Sequence, residues 1–187
     1  MKRLYAILFV VVGLLLASST ASAQMMKENP MVGGAAMYPT KTIVANAMNS
    51  ADHTTLVAAV KVAGLVDTLN SKGPFTVFAP TNAAFDQLPA GTVETLLKPE
   101  NKSMLSRVLT YHVLSGKYDA KALGKLIARG NGKARLKTVS GDTLTALMDG
   151  SNIVLRAAKG GTSVVTQADV YQSNGVIHVV NAVLLPN

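Results

Sequence analysis

The stretch "GPFTVFAPTNAAFDQLP", Gly73 to Pro89, compresses a turn, a strand, a break and a helix start into one short run. Phe75-Thr76-Val77-Phe78 alternates and is rich in β-formers, so it reads as a strand that Gly73-Pro74 precedes and Pro80 stops. Thr81 or Asn82 then caps a short helix by accepting from a free backbone N–H, and that helix buries Phe85 and Leu88. Phe75, Phe78 and Phe85 are three of the chain's four phenylalanines. Their periodicity allows them to converge on one core. The block reads as a folding device rather than a contact surface.

Upstream, Ile43, Val44, Ala47 and Met48 share one face of a short helix. Asp52 is placed to cap a second helix with the stripe Leu56, Val57, Val60 and Ala63, which Leu65, Val66 and Leu69 continue past a weakening Gly64. Residues 24–39 carry two prolines and two adjacent glycines without a period, and read as a tail or irregular lead-in. Downstream, Met104, Leu105, Val108, Leu109 and His112 form a third helical stripe. Asp119 caps a further helix carrying Leu123, Leu126 and Ile127. Beyond Gly132 the period changes to alternation, with short β-type runs over 134–139, 143–148, 153–157, 163–170, 176–180 and 183–185. A helix-rich first half and a strand-rich second half predict an α+β fold, one domain over 40–187, with helices on one side of largely antiparallel sheets.

The first residues, Met1-Lys2-Arg3, an apolar run of 14 residues from Leu4 to Ala17 and Ala21-Ser22-Ala23, read as a secretory signal peptide over 1–23. The run falls short of the roughly 20 residues a membrane span needs, so no transmembrane segment is expected after cleavage. The chain has no cysteine, which excludes disulfides, thiolate metal sites and a cysteine nucleophile.

Without Lys2 and Arg3 the chain holds 16 basic and 10 acidic residues. Lys117, Lys121, Lys125, Arg129, Lys133, Arg135 and Lys137 lie in one segment with Asp119 as its lone acid, so the whole excess is local. The first four recur every four residues and the last three alternate, so helix and strand each gather theirs on one face. Like charges at this spacing repel, and no glutamate softens them. A binding face for an anionic partner is expected, an acidic polysaccharide or lipid headgroup, with a merely solvated basic surface as the alternative. Nucleic acid is not expected, since export and the lack of an aromatic stacking platform argue against it.

The Gly73–Pro89 block closely resembles the first signature block of the fasciclin (FAS1) domain. "NGVIHVVNAVLLP", from Asn174 and Gly175 through His178 to Pro186, resembles the second, and "LTYHVLSG" resembles the Tyr-His motif, here Tyr111-His112. The resemblance implies a wedge of β-strands flanked by helices, and a secreted adhesion or matrix-binding role without enzymatic activity. Asp169-Val170 resembles the Asp-Ile dipeptide that some animal fasciclin domains use for integrin contact, with valine replacing isoleucine. The alternative there is a strand-end aspartate beside a core valine.

Histidine roles are read as structural. His112 ends an apolar stripe and His178 lies among valines, so both read as core histidines bonded through both nitrogens. His53, beside Asp52 at a helix start, is expected at the surface or as a minor participant in the cap. No GxSxG elbow, phosphate loop, dinucleotide fingerprint or HExxH occurs, and neither a cofactor nor a metal is expected. Met25, Met26, Met31 and Met37 offer thioethers of the kind that select soft ions, in irregular spacing that chance explains. A periplasmic small-ligand or metal-binding protein is the rival function, using a pocket near the tail or between sheet and helices.

Overall fold

The computed structural model describes residues 29–186. The expected signal peptide, Met25 and Met26 lie outside the described residues. The lead-in is not a tail. Strands β1 (Met31–Val32) and β2 (Ala35–Ala36) form a hairpin around Gly33-Gly34, both with positive φ as a two-residue turn of this hand requires. Val32 and Met37 are buried in the core, so the ordered domain begins ahead of Thr40.

Helix α1 (Ile43–Ala47) is capped by Thr42, whose Oγ1 accepts from Ala45 N–H. Its fully buried Asn46 exchanges hydrogen bonds with the Tyr38 backbone and donates to Gln172 Oε1. Met48, expected on the buried face, is 54% exposed. A 3-10 turn over Ala51–His53 leads into α2 (Thr54–Ala63), which ends at Gly64 in the left-handed conformation before α3 (Val66–Asn70) starts. Asp52 does not cap α2. That role falls to Asn82, whose Oδ1 accepts from Thr55 N–H at 3.0 Å while its amide donates to Ala51 O at 2.8 Å.

Strand β3 (Phe75–Pro80) follows, then α4 (Asn82–Asp86), capped by Thr81 through Ala84 N–H, α5 (Thr92–Leu96) and α6 (Lys102–Tyr111). Met104 sits in the first turn of α6 and is 60% exposed, outside the stripe assigned to it. Strand β4 (Val113–Ser115), α7 (Ala120–Arg129) and strands β5 (Lys133–Lys137), β6 (Thr143–Asp149), β7 (Asn152–Arg156), β8 (Thr162–Gln172) and β9 (Gly175–Val180) complete the order. Residues 183–185 are not a strand; Leu184 is nonetheless fully buried.

The main sheet runs β4-β3-β9-β8-β7-β6-β5. Every pairing in it is antiparallel except β3–β9, which is parallel. Register shifts bend β8 near Gln167, and an isolated bridge between Leu114 and Thr138 brings the sheet's two ends together. The core therefore splits in two. Helices α1, α2 and α6 pack on Val77, Ala79, Ile177 and Val179 on one face of β3 and β9. Helix α7 packs with Phe78, Ala134, Leu136, Leu144 and Val180 in the other cluster. The three phenylalanines do not converge, because alternation along β3 sends Phe75 and Phe78 to opposite faces; Phe75 and Phe85 join the first cluster.

Candidate functional site

The two blocks that carry the resemblance lie side by side. Phe75 to Pro80 pairs residue for residue with Gly175 to Val180, and Gly175 faces the Phe75 carbonyl so closely that a Cβ would overlap it. Asn174 accepts from Ile43 N–H at 2.9 Å and donates to Leu69 O and Ser71 O at 2.7 and 3.0 Å. One buried amide thus ties the start of α1 to the end of α3.

Tyr111 and His112 face inward. The Tyr111 hydroxyl donates to Thr143 O and accepts from Ala158 N–H. Leu184 N–H donates to His112 Nε2 at 3.0 Å, so Nδ1 carries the proton and donates to Val108 O at 2.8 Å. Burial lowers the His112 pKa to about 4. His178 Nδ1 accepts from Asp169 N–H and Nε2 donates to Tyr118 O. Burial lowers its pKa too, against the Tyr118 carbonyl and the charges of Asp169 and Asp119. His53 is not at the surface: it is 3% exposed, with Nδ1 on Ser50 Oγ at 2.9 Å, and burial lowers its pKa. Among the described residues no three histidine or carboxylate side chains gather as a metal site. Met37 is buried while Met31 is 57% exposed.

Asp169-Val170 is not a free contact pair. Val170 is fully buried. The bend in β8 places Asp169 at φ 61°, which aims its carboxylate at Ala120 N–H, 2.7 Å away. Asp119 accepts from Ala122 N–H at 2.7 Å. Two carboxylates therefore satisfy two of the free N–H groups at the positive end of α7.

The seven cations do not form one face. Lys121, Lys125 and Arg129 are exposed along α7, opposite the buried Leu123 and Ile127. On β5, Ala134 and Leu136 point toward α7, so Lys133, Arg135 and Lys137 project from the other side of the sheet. Lys117 precedes the helix and stands over the Tyr171 ring at 4.7 Å. The strand side gains a member that sequence order conceals. Arg135 is opposite Thr145, Thr145 opposite Arg156, and Arg156 opposite Thr162, forming one row across four strands. Two strand spacings, about 9.5 Å, separate the two arginines. Among the described residues the ion pair Arg107–Asp142 is the sole one, so none of these cations has a carboxylate partner. Beside β5, between it and β4, runs a groove of about 420 Å³ lined by Ser115, Tyr118, Leu126, Arg135 and Lys137 among others.

A separate apolar hollow of about 180 Å³ lies between β3 and helices α1, α2, α3 and α6.

The Fasciclin domain profile matches residues 51–186. The chain belongs to the fasciclin family. The match starts after α1, yet the β1–β2 hairpin and α1 are packed into this fasciclin domain through Val32, Met37 and Asn46. Protein sll1483 of Synechocystis sp. is 43% identical over 166 residues, covering 89% of this chain and 85% of that protein. The immunogenic protein MPB70 of Mycobacterium bovis is 33% identical over 171 residues, covering 89% and 74%. The transforming growth factor-beta-induced protein ig-h3 of Sus scrofa is 39% identical over 131 residues, which is 70% of this chain and 17% of that one. The solved FAS1 domain pair from the insect cell adhesion molecule Fasciclin I superimposes with a TM-score of 0.69 at 20% identity, covering 78% of this chain and 51% of the pair. That likeness establishes the fold. No helix among the described residues is long and apolar enough to cross a membrane.

Proposed function

We propose that this fasciclin domain is an exported, non-enzymatic adhesion module that holds an anionic polymer, such as an acidic polysaccharide, on the outer face of β5–β7. The observation that carries the reading is the row Arg135–Thr145–Arg156–Thr162, flanked by Lys133 and Lys137 and free of carboxylates along its length. Two guanidinium groups about 9.5 Å apart suit carboxylates or sulfates repeated along a chain, because each can take two oxygens at once. Threonine hydroxyls between them supply donors and acceptors for sugar hydroxyls. Adhesion itself comes from the family, in which Fasciclin I is a cell adhesion molecule. The buried histidines and the capping aspartates serve the fold, so the reading rests on this exposed face and the adjoining groove rather than on them.

The test compares binding of dextran sulfate, alginate and neutral dextran at two salt concentrations. R135Q/R156Q is expected to weaken binding to the charged polymers by about 5- to 30-fold, from about 0.5–1 kcal/mol for each exposed pair. The same variant flattens the dependence of log K on log salt, since fewer counterions are displaced. K121Q/K125Q/R129Q, on the far side of the sheet, retains most of the affinity. Equal binding by both variants and the parent, or none by the parent, would sink the proposal.

A further inference from the structure

The apolar hollow behind β3 is independent of the basic strand face and has its own chemistry. Its walls come from α1, α2, α3, α6, β3 and Ile177 of β9, and nearly every lining atom is carbon. Val57, Leu65 and Val66 carry the apolar pattern of core residues yet are only half-buried, and all three line this space. Met48 and Val139, 54% and 43% exposed, also line it. Such a surface excludes sugars, nucleotides and amino acids, whose polar groups would be stripped of water without partners. His112 reaches the lining, but both of its nitrogens are already bonded to backbone. Lys61 is the one charged lining residue, and no carboxylate pairs with it.

We propose that this hollow is a binding site for a medium-chain fatty acid, its alkyl chain among the α1–α3 side chains and its carboxylate at Lys61. A dry cavity of about 150 Å³ holds a six-carbon ring. The 180 Å³ here scales to roughly seven enclosed carbons, so a chain of about eight to ten seats its far end inside and leaves its first carbons and the carboxylate projecting toward Lys61. Filling it restores the dispersion contacts that the lining now lacks. The single ammonium selects an anion over an alcohol of the same length.

The experiment titrates the exported protein with decanoate, decanol and phosphatidylglycerol vesicles, following the isoleucine, leucine and valine methyl resonances and the melting temperature. Decanoate is expected to bind saturably at one site, move the Ile43, Leu69 and Ile177 methyls and raise the melting temperature. K61Q, a surface change that leaves the fold intact, should weaken decanoate by about two- to fivefold and decanol not at all. V57W, which fills the hollow, should abolish decanoate binding while the dextran sulfate affinity of the parent is kept. Absence of saturable decanoate binding, shifts confined to other methyls, or equal loss of decanol and decanoate in K61Q would each overturn the proposal. Binding to vesicles without binding to free decanoate would overturn it as well, by assigning the surface to a membrane.

Discussion

Lowering the pH from 7 to 4 tests the burial of His112 directly. In the fold its Nδ1–H donates to Val108 O and its Nε2 accepts from Leu184 N–H. A second proton would set two N–H groups against each other and strand a charge away from water. The folded pKa is lowered to about 4 from 6.5. Between these values the unfolded chain binds a proton that the folded chain refuses, so stability falls as pH drops through 6.5 and levels off below about 4. That gap, at 1.36 kcal/mol for each pH unit, is about 3 kcal/mol. Urea unfolding at pH 7 and pH 4 should give the parent a loss about 3 kcal/mol larger than that of H112Q, which keeps a donor and an acceptor but cannot titrate. His53 and His178 add to the acid loss in both proteins and cancel in the comparison. A His112 imidazole resonance that titrates near 6.5 in the folded protein, or equal acid losses in the two proteins, would refute the burial argument.

Two further substitutions test the caps. N82A removes the acceptor of Thr55 N–H and the donor to Ala51 O together, and is expected to cost about 1–2 kcal/mol in urea unfolding, more than T81A, which removes the single local cap of α4. D169A frees Ala120 N–H and places an alanine at positive φ; about 2 kcal/mol of stability should be lost. Its affinity for dextran sulfate below the melting transition should match the parent, and a selective loss of binding would restore Asp169 as a contact residue.

Much of the fold was legible because local signals agree with it. The β-rich Phe75–Phe78 run became a strand, Thr81 became a cap, and the change of period at Gly132 marked where helices yield to strands. Several of the misses depend on a partner that no local period reveals. Asn82 looks like a local cap, and its neighbour Thr81 already fills that role; its own oxygen turns to a helix that began 28 residues earlier. The lead-in has no periodicity because it is held by a hairpin and by Asn46, not by an amphipathic face. His53 follows an exposed aspartate, and only the packing of α2 against its surroundings buries it.

The basic surface exposes the same limit at the level of function. Period alone puts Lys133, Arg135 and Lys137 on one side of a strand, and that much held. It cannot say which strand lies beside them, and so Arg156 remained outside the segment although it completes the row. Its placement rests on the two-residue turn between Asp149 and Asn152, where Gly150 takes φ 58°. A glycine at the first central position suits the tight hairpin turns whose twist matches that of their strands, and such a turn fixes register. A slip of one residue there would send Arg156 into the core and Leu155 to the surface. The burial of Leu155, fully enclosed in the second cluster, therefore holds the arginine row in place as firmly as any contact the arginines make themselves.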